Sequence, residues 1–313
     1  MSIDSGYLKL FVNATEKAAY AASKFIGKND KIAADQAAVD SMRKEFNRIN
    51  MDGEIVIGEG EMDEAPMLFI GEKVGNKKGQ KLDIAVDPLE GTNFVAKGLP
   101  NSFSVLAVAE HKNIFFAPDT YMEKIAIGAG LPKNLVDLDN SVEKNISLLA
   151  EAKNISPDKL TVCILDRPRH EKYITELKKM NVKLKLISDG DVSGVIYVVN
   201  KNSPVDMYLG IGGGPEGVLA AAALSCYGGQ IQTRLVLNDE ESLRAKKMGI
   251  LDLKRKYNID DMIKDDVMFC ATAITDGELG KGIQDYKEYY ETSTIALHKS
   301  SKTNTIFKNK HKK

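Results

Sequence analysis

The feature that most constrains this chain is the regular alternation between residues 161 and 228. Apolar, strand-like runs (TVCILD, VKLKLIS, VDMYLGIG) are each followed by a helical pattern (RHEKYITELKKMN, DVSGVIYVVN, PEGVLAAAALSCYG). Parallel strands must be joined by crossovers that helices commonly supply, so this order predicts βαβ units, a largely parallel sheet and ligands at the carboxyl ends of its strands. The fold class read from it is α/β.

Upstream, apolar residues at three- and four-residue spacing predict two helices between Tyr7 and Arg48, separated by Asn29 and Asp30. A strand over EIVIGEGE follows, then a helix that Pro66 would start and that would run to about Gly71 or Val74. LDIAVDP reads as the next strand. SFSVLAVAE and KNIFFAPD read as an antiparallel pair around a charged turn, Glu110 to Asn113. A shift to Asn, Asp, Ser and Lys between Val136 and Asn154 predicts a crossover between two halves, residues 1–135 and 136–313. The tail carries six Lys from Lys299 onward, yet the alternation in TIALH and TNTIF favours a terminal hairpin with a frayed basic end over a nucleic-acid arm.

Charge and composition remove several function classes. The chain has 43 Lys plus Arg against 44 Asp plus Glu, which argues against an electrostatic binder of nucleic acid. Cys163, Cys226 and Cys270 are far apart and lack CxxC spacing, so neither a disulfide framework nor a zinc site is expected. No run approaches the roughly 20 apolar residues of a membrane span, and the N-terminus lacks the apolar core of a secretory signal. The expected compartment is the cytoplasm, with no membrane partner.

Chemistry concentrates in DIAVDPLEGTN, residues 83–93. An apolar strand delivers Asp87 at its carboxyl end, Pro88 turns the chain, and Glu90 follows three residues later. The two carboxylates, with the Leu89 carbonyl between them, suit a hard divalent cation, which takes oxygen ligands. Gly91 permits close backbone approach, and Thr92 places a hydroxyl next to the candidate metal site. Residues 52–65 add six acids and no Lys or Arg, a single-sign cluster that asks for a cation.

DPLEGT resembles the metal-binding signature of the lithium-sensitive, metal-dependent phosphatase superfamily. VIGEGEMDEAPMLFIGEKVG, APDTYMEK, RPRHEKYI with SDGDVSG, and GIGGGPEGV narrow the resemblance along almost the whole chain to class II fructose-1,6-bisphosphatases of the bacterial GlpX type. That resemblance implies a layered α/β/α/β/α sandwich with mixed sheets, with metal-binding loops in the N-terminal half and substrate-binding loops in the C-terminal half. It implies metal ligation, by Mn²⁺ or Mg²⁺, at Asp35, Glu59, Asp87, Leu89, Glu90 and Glu216. A water oriented by Thr92 with Asp35 or Glu59 would attack the phosphorus in line, without a phosphoenzyme. Substrate contacts would fall on Glu90, Gly91, Thr92, Tyr121, Arg167, Pro168, Arg169, Asp189, Gly190, Asp191 and Gly213. The implied reaction is hydrolysis of fructose 1,6-bisphosphate to fructose 6-phosphate, by a homodimer or homotetramer, with sedoheptulose 1,7-bisphosphate as the runner-up substrate. A non-catalytic sugar-phosphate sensor is disfavoured by the intact Thr92 and the full carboxylate set.

Two features of the second half bear on the substrate independently. Arg167 and Arg169 directly follow the strand TVCILD, and planar guanidinium groups suit a phosphate; relatives often carry Lys where Arg167 stands. His170, beside them, reads as a surface residue at a helix start, without a role. Gly212, Gly214 and Gly217 satisfy GxGxxG between a strand and a helix, and Asp239 lies about 20 residues on, so a nucleotide-binding oxidoreductase is the rival class. Glu216 opposes it, because a carboxylate in the first helical turn repels a pyrophosphate at the helix N-terminus.

Overall fold

The computed structural model describes residues 2–58 and 68–313. Residues 2–116 carry α1 (Tyr7–Ser23), α2 (Lys31–Phe46), β1 (Asp52–Ile57), β2 (Lys73–Val74), β3 (Lys81–Glu90), α3 (Thr92–Lys97) and β4 (Phe103–Glu110). Residues 117–262 carry β5 (Tyr121–Ile127), α4 (Val142–Lys153), β6 (Thr161–Leu165), α5 (Glu171–Lys179), β7 (Lys183–Ile187), α6 (Asp191–Ile196) and β8 (Met207–Gly213). The same stretch continues with α7 (Gly214–Tyr227), β9 (Gln230–Val236), α8 (Asp239–Lys247), β10 (Lys256–Asn258) and α9 (Ile259–Met262). The chain ends with β11 (Val267–Ala273), β12 (Gln284–Asp285), β13 (Tyr289–His298) and β14 (Thr303–Lys312). The first and last stretches make one compact unit and the middle stretch a second. The chain therefore divides near residues 117 and 263, whereas its composition suggests one boundary near 135.

In the first unit the strands order as β12-β13-β11-β4-β3-β1-β2, with β14 on the other side of β13. The β1–β3 pair is parallel, while β3–β4, β4–β11 and β11–β13 are antiparallel. α1 packs on this sheet because Leu8, Phe11, Val12, Ala18 and Ala22 fall on one helical stripe, and they join Phe46, Ile84, Leu106 and Met268 in one core. α2 starts at Asp30, whose side chain accepts the Ala33 N–H and so satisfies an orphan donor of the first turn. It packs against α1, α3 and β3.

In the second unit the order is β10-β9-β5-β8-β6-β7. The βαβ expectation holds for β6, β7 and β8, which are parallel. The sheet is mixed rather than largely parallel, because β5 arrives from before the alternating region and inserts antiparallel between β8 and β9. Strand order is a long-range outcome that local periodicity does not carry.

Four further expectations change. Residues 136–154 are not a link between halves but hold α4, capped by the Ser141 side chain on the Lys144 N–H, inside the second unit. Pro66 lies outside the described residues, and 68–74 form a turn and β2 instead of a helix. KNIFFAPD makes only an isolated bridge, Ile114 to Ile263, and β4 pairs with β3 and β11. Buried Asp83 explains this: its Oδ2 accepts the Lys112 N–H at 2.7 Å, capturing backbone that a hairpin would have used. The terminal hairpin forms with pairing from His298–Thr303 to Tyr289–Lys312, so the basic end is strand and not frayed. No helix of the described residues is long and apolar enough to cross a membrane.

Candidate active site

In a regular strand, residues three apart point to opposite faces. Asp87 pairs with Val105 and Glu90 with Phe103, so β3 uses three steps where β4 uses two. That bulge, at the proline that cannot donate to the ladder, resets the alternation and turns both acids the same way. A carboxylate oxygen of Asp87 and one of Glu90 consequently lie within 4.8 Å of each other. Glu90 is buried and its carbonyl accepts the Ser102 hydroxyl at 2.8 Å, while the Leu89 N–H donates to Asp87 Oδ1 at 3.1 Å. Gly91 then adopts a left-handed conformation (φ 77°) that a side chain disfavours, and half-buried Thr92 opens α3. Asp35 stands half-buried on α2. Glu59 lies outside the described residues.

In the second unit the glycine-rich string at the end of β8 meets two carboxylates. A Cβ added to Gly212 would stand 2.0 Å from Asp191 Oδ2, and one added to Gly213 would stand 1.8 Å from Glu216 Oε2. The glycines thus make room for acids against the backbone, where a dinucleotide fingerprint would make room for a pyrophosphate. Glu216 sits in the first turn of α7, and its Oε2 is buried without a hydrogen-bond partner among the described residues. Burial raises its pKa, with nearby Lys124 lowering it and Asp191 raising it. A buried carboxylate oxygen with no donor is chemically suited to a cation, and in the first unit the oxygen pair at Asp87 and Glu90 suits a hard divalent ion.

Tyr121 stands half-exposed at the start of β5, beneath the Arg169 guanidinium at 4.7 Å from the ring centre. Arg169 Nε and Nη2 both donate to the Ile211 carbonyl, at 3.0 and 2.8 Å, so one edge of its fork is already committed. Half-buried Arg167 donates from Nη1 to the Asp166 carbonyl at 3.0 Å, and Pro168 begins a short 3₁₀ turn. Asp189 Oδ1 accepts the Gly190 N–H at 3.2 Å, and Asp191 opens α6.

Three residues without a sequence-level role hold this side together. His170 is fully buried, contrary to the surface expectation. Its Nδ1 donates to the Leu165 carbonyl at 2.7 Å and its Nε2 accepts the Ile211 N–H at 2.7 Å, which ties the end of β6 to β8 through a neutral ring. Lys124 and Tyr208 both contact Asp191. A cue for Lys124 does exist in the sequence: in YMEKIAI it shares the inward phase of Met122 and Ala126, where a lysine needs a partner.

Burial holds the His170 pKa below its ordinary value. As pH falls through about 6.5, the unfolded chain takes up a proton that the folded chain resists, so the stability this residue supplies is full above that pH and declines below it. His170→Phe should cost about 2–4 kcal/mol at pH 7.5, by orphaning the Ile211 N–H and the Leu165 carbonyl. Urea unfolding should show the gap to wild type narrowing toward pH 5.5; a gap independent of pH would contradict the assignment.

The family model for bacterial fructose-1,6-bisphosphatase, glpX-encoded, matches residues 7–311. Fructose-1,6-bisphosphatase class 2 of Haemophilus influenzae is 42% identical over 307 residues, 94% of this chain and 92% of that protein. Fructose-1,6-bisphosphatase 1 class 2 of Escherichia coli K12 is 42% identical over 308 residues, 94% and 91% of the two chains. Among solved structures, the extragenic suppressor protein suhB of Bartonella henselae aligns with a TM-score of 0.34 at 11% identity, over 63% of this chain and 74% of that one, too loosely to carry an argument. A family match spanning residues 7–311, with this identity along nearly the full length of two relatives, is decisive: the chain belongs to the glpX-encoded family of bacterial fructose-1,6-bisphosphatases.

Proposed function

We propose that the protein hydrolyses the 1-phosphate of fructose 1,6-bisphosphate, giving fructose 6-phosphate and orthophosphate, with Mn²⁺ or Mg²⁺ held by Asp35, Glu59, Asp87, Glu90 and Glu216 and the Leu89 carbonyl. The observation that carries this reading is the bulge at Pro88, which aligns Asp87 and Glu90 inside DPLEGT in a chain of this family. Divalent cations, when bound, neutralise phosphoryl charge and make water nucleophilic at neutral pH. The Thr92 hydroxyl, with Asp35 or Glu59, orients that water for in-line attack, and Gly91 lets the phosphoryl group approach the backbone.

On the sugar side, Arg167 and Arg169, whose Nη1 makes no hydrogen bond among the described residues, hold the phosphate that is not hydrolysed. Tyr121, Pro168, Asp189, Gly190, Asp191 and Gly213 line the sugar, with the acids accepting its hydroxyl protons as hydrogen bonds. In this reading the enzyme works in the cytoplasm as a homodimer or homotetramer, in the gluconeogenic direction of sugar metabolism.

Phosphorus NMR during turnover tests the substrate assignment. The C1 phosphate signal of fructose 1,6-bisphosphate should disappear with the C6 signal retained. Faster release from sedoheptulose 1,7-bisphosphate would move the assignment to that substrate, and saturable NADH binding without any phosphate release would replace it with the oxidoreductase class.

A further inference from the structure

The Asp191 carboxylate is held from both sides. Lys124 Nζ pairs with Oδ2 and the Tyr208 hydroxyl donates to Oδ1, so two donors from two adjacent strands, β5 and β8, fix the plane of the group. All three side chains are buried, and Lys124 and Tyr208 are fully so. The lysine stem lies against the first turn of α7: a Cβ on Gly217 would meet its Cε at 3.2 Å. On the opposite side, Gly212 leaves the space into which the carboxylate is pressed.

Such an arrangement is a poor way to gain stability. Taking an ammonium and a carboxylate out of water costs several kcal/mol per ion before their attraction returns it, and apolar side chains of similar volume are often as stable or more so. What a doubly held, buried carboxylate provides is a fixed position. Tyr208 adds a second anchor that charge neutralisation alone does not require.

We infer that Lys124 and Tyr208 are positioning residues, which touch no substrate and set where Asp191 presents its carboxylate to the sugar. This rests on the reading above in which Asp191 contacts the sugar. The consequence is that affinity for the sugar phosphate, more than the rate of phosphoryl transfer, depends on two residues inside the sheet.

The test uses Tyr208→Phe, Lys124→Met, Asp191→Asn and the double variant Tyr208→Phe/Asp191→Asn in the full chain, reading KM, kcat and, without turnover, fructose 6-phosphate affinity by calorimetry. Tyr208→Phe should raise KM and weaken fructose 6-phosphate binding about tenfold, with kcat within about twofold, as expected for losing one hydrogen bond to a charged group. The double variant should be no worse than Asp191→Asn alone, because both changes act through one carboxylate. Lys124→Met should shift KM further in the same direction; Tyr208→Phe, which removes one oxygen atom, carries the test if that variant does not fold. A folded Tyr208→Phe with wild-type KM and affinity, beside an Asp191→Asn that loses both, would overturn the positioning role and leave the sugar contact standing. If Asp191→Asn itself binds fructose 6-phosphate normally, the sugar contact fails and the positioning role fails with it.

Discussion

Glu90→Gln should lower kcat/KM on the order of 10³-fold, about 4 kcal/mol of transition-state stabilisation, and weaken Mn²⁺ binding in the same variant. The substitution keeps volume and removes charge at a buried position whose backbone is anchored by Ser102, so the fold should survive. Thr92→Ala should behave differently. Its hydroxyl is assigned to orienting water, so kcat should fall on the order of 10²-fold while Mn²⁺ affinity, measured by titration, stays near wild type. Glu54→Gln, which removes an acid paired with Lys73 on the same sheet, should leave activity intact and serves as the control for charge loss alone. Equal losses of metal affinity in the Glu90 and Thr92 variants would merge their roles.

The second large effect concerns glycines rather than acids. Gly213 has φ −64° and ψ 145°, a conformation open to any residue, so Gly213→Ala introduces no backbone strain. Its methyl would stand 1.8 Å from Glu216 Oε2, the free end of a side chain that can rotate away. The fold should therefore persist while the displaced carboxylate costs activity, on the order of 10²-fold, comparable to losing a preorganised group. Gly212→Ala meets Asp191 at 2.0 Å instead, and that carboxylate is pinned by Lys124 and Tyr208. With nowhere to move, the clash should appear as a stability loss of about 3 kcal/mol. Thermal unfolding beside steady-state assays separates the two; a stability loss in Gly213→Ala equal to that in Gly212→Ala would show that Glu216 is as rigidly held as Asp191.

The local grouping of the acids and glycines was largely legible in the sequence, because it is written in short contiguous strings. DPLEGTN brings Asp87, Glu90 and Thr92 together in sequence, but the strand does not end in a turn at Pro88: β3 runs on to Glu90, and the bulge at the proline aligns the two acids. GIGGGPEG points to a place where something approaches the backbone, and in the structure the carboxylates of Asp191 and Glu216 do so. Residues that act across the sheet were not legible. Lys124, Tyr208 and Asp191 are separated by 67 and 17 positions, and their meeting depends on β5 inserting beside β8, an order that no local periodicity contains. His170 was misread for the same reason, since its two partners, Leu165 and Ile211, are brought together only by the parallel pairing of β6 and β8. KNIFFAPD failed as a strand because Asp83, 29 residues before Lys112, takes the amide that pairing required.

The central claim, metal-dependent hydrolysis of a sugar bisphosphate by these carboxylates, is tested most directly by orthophosphate release from fructose 1,6-bisphosphate. Protein stripped with EDTA should release none, and addition of Mn²⁺ or Mg²⁺ should restore release in the wild type and not in Glu90→Gln. Release that persists after EDTA, or no release with either metal, would contradict the account.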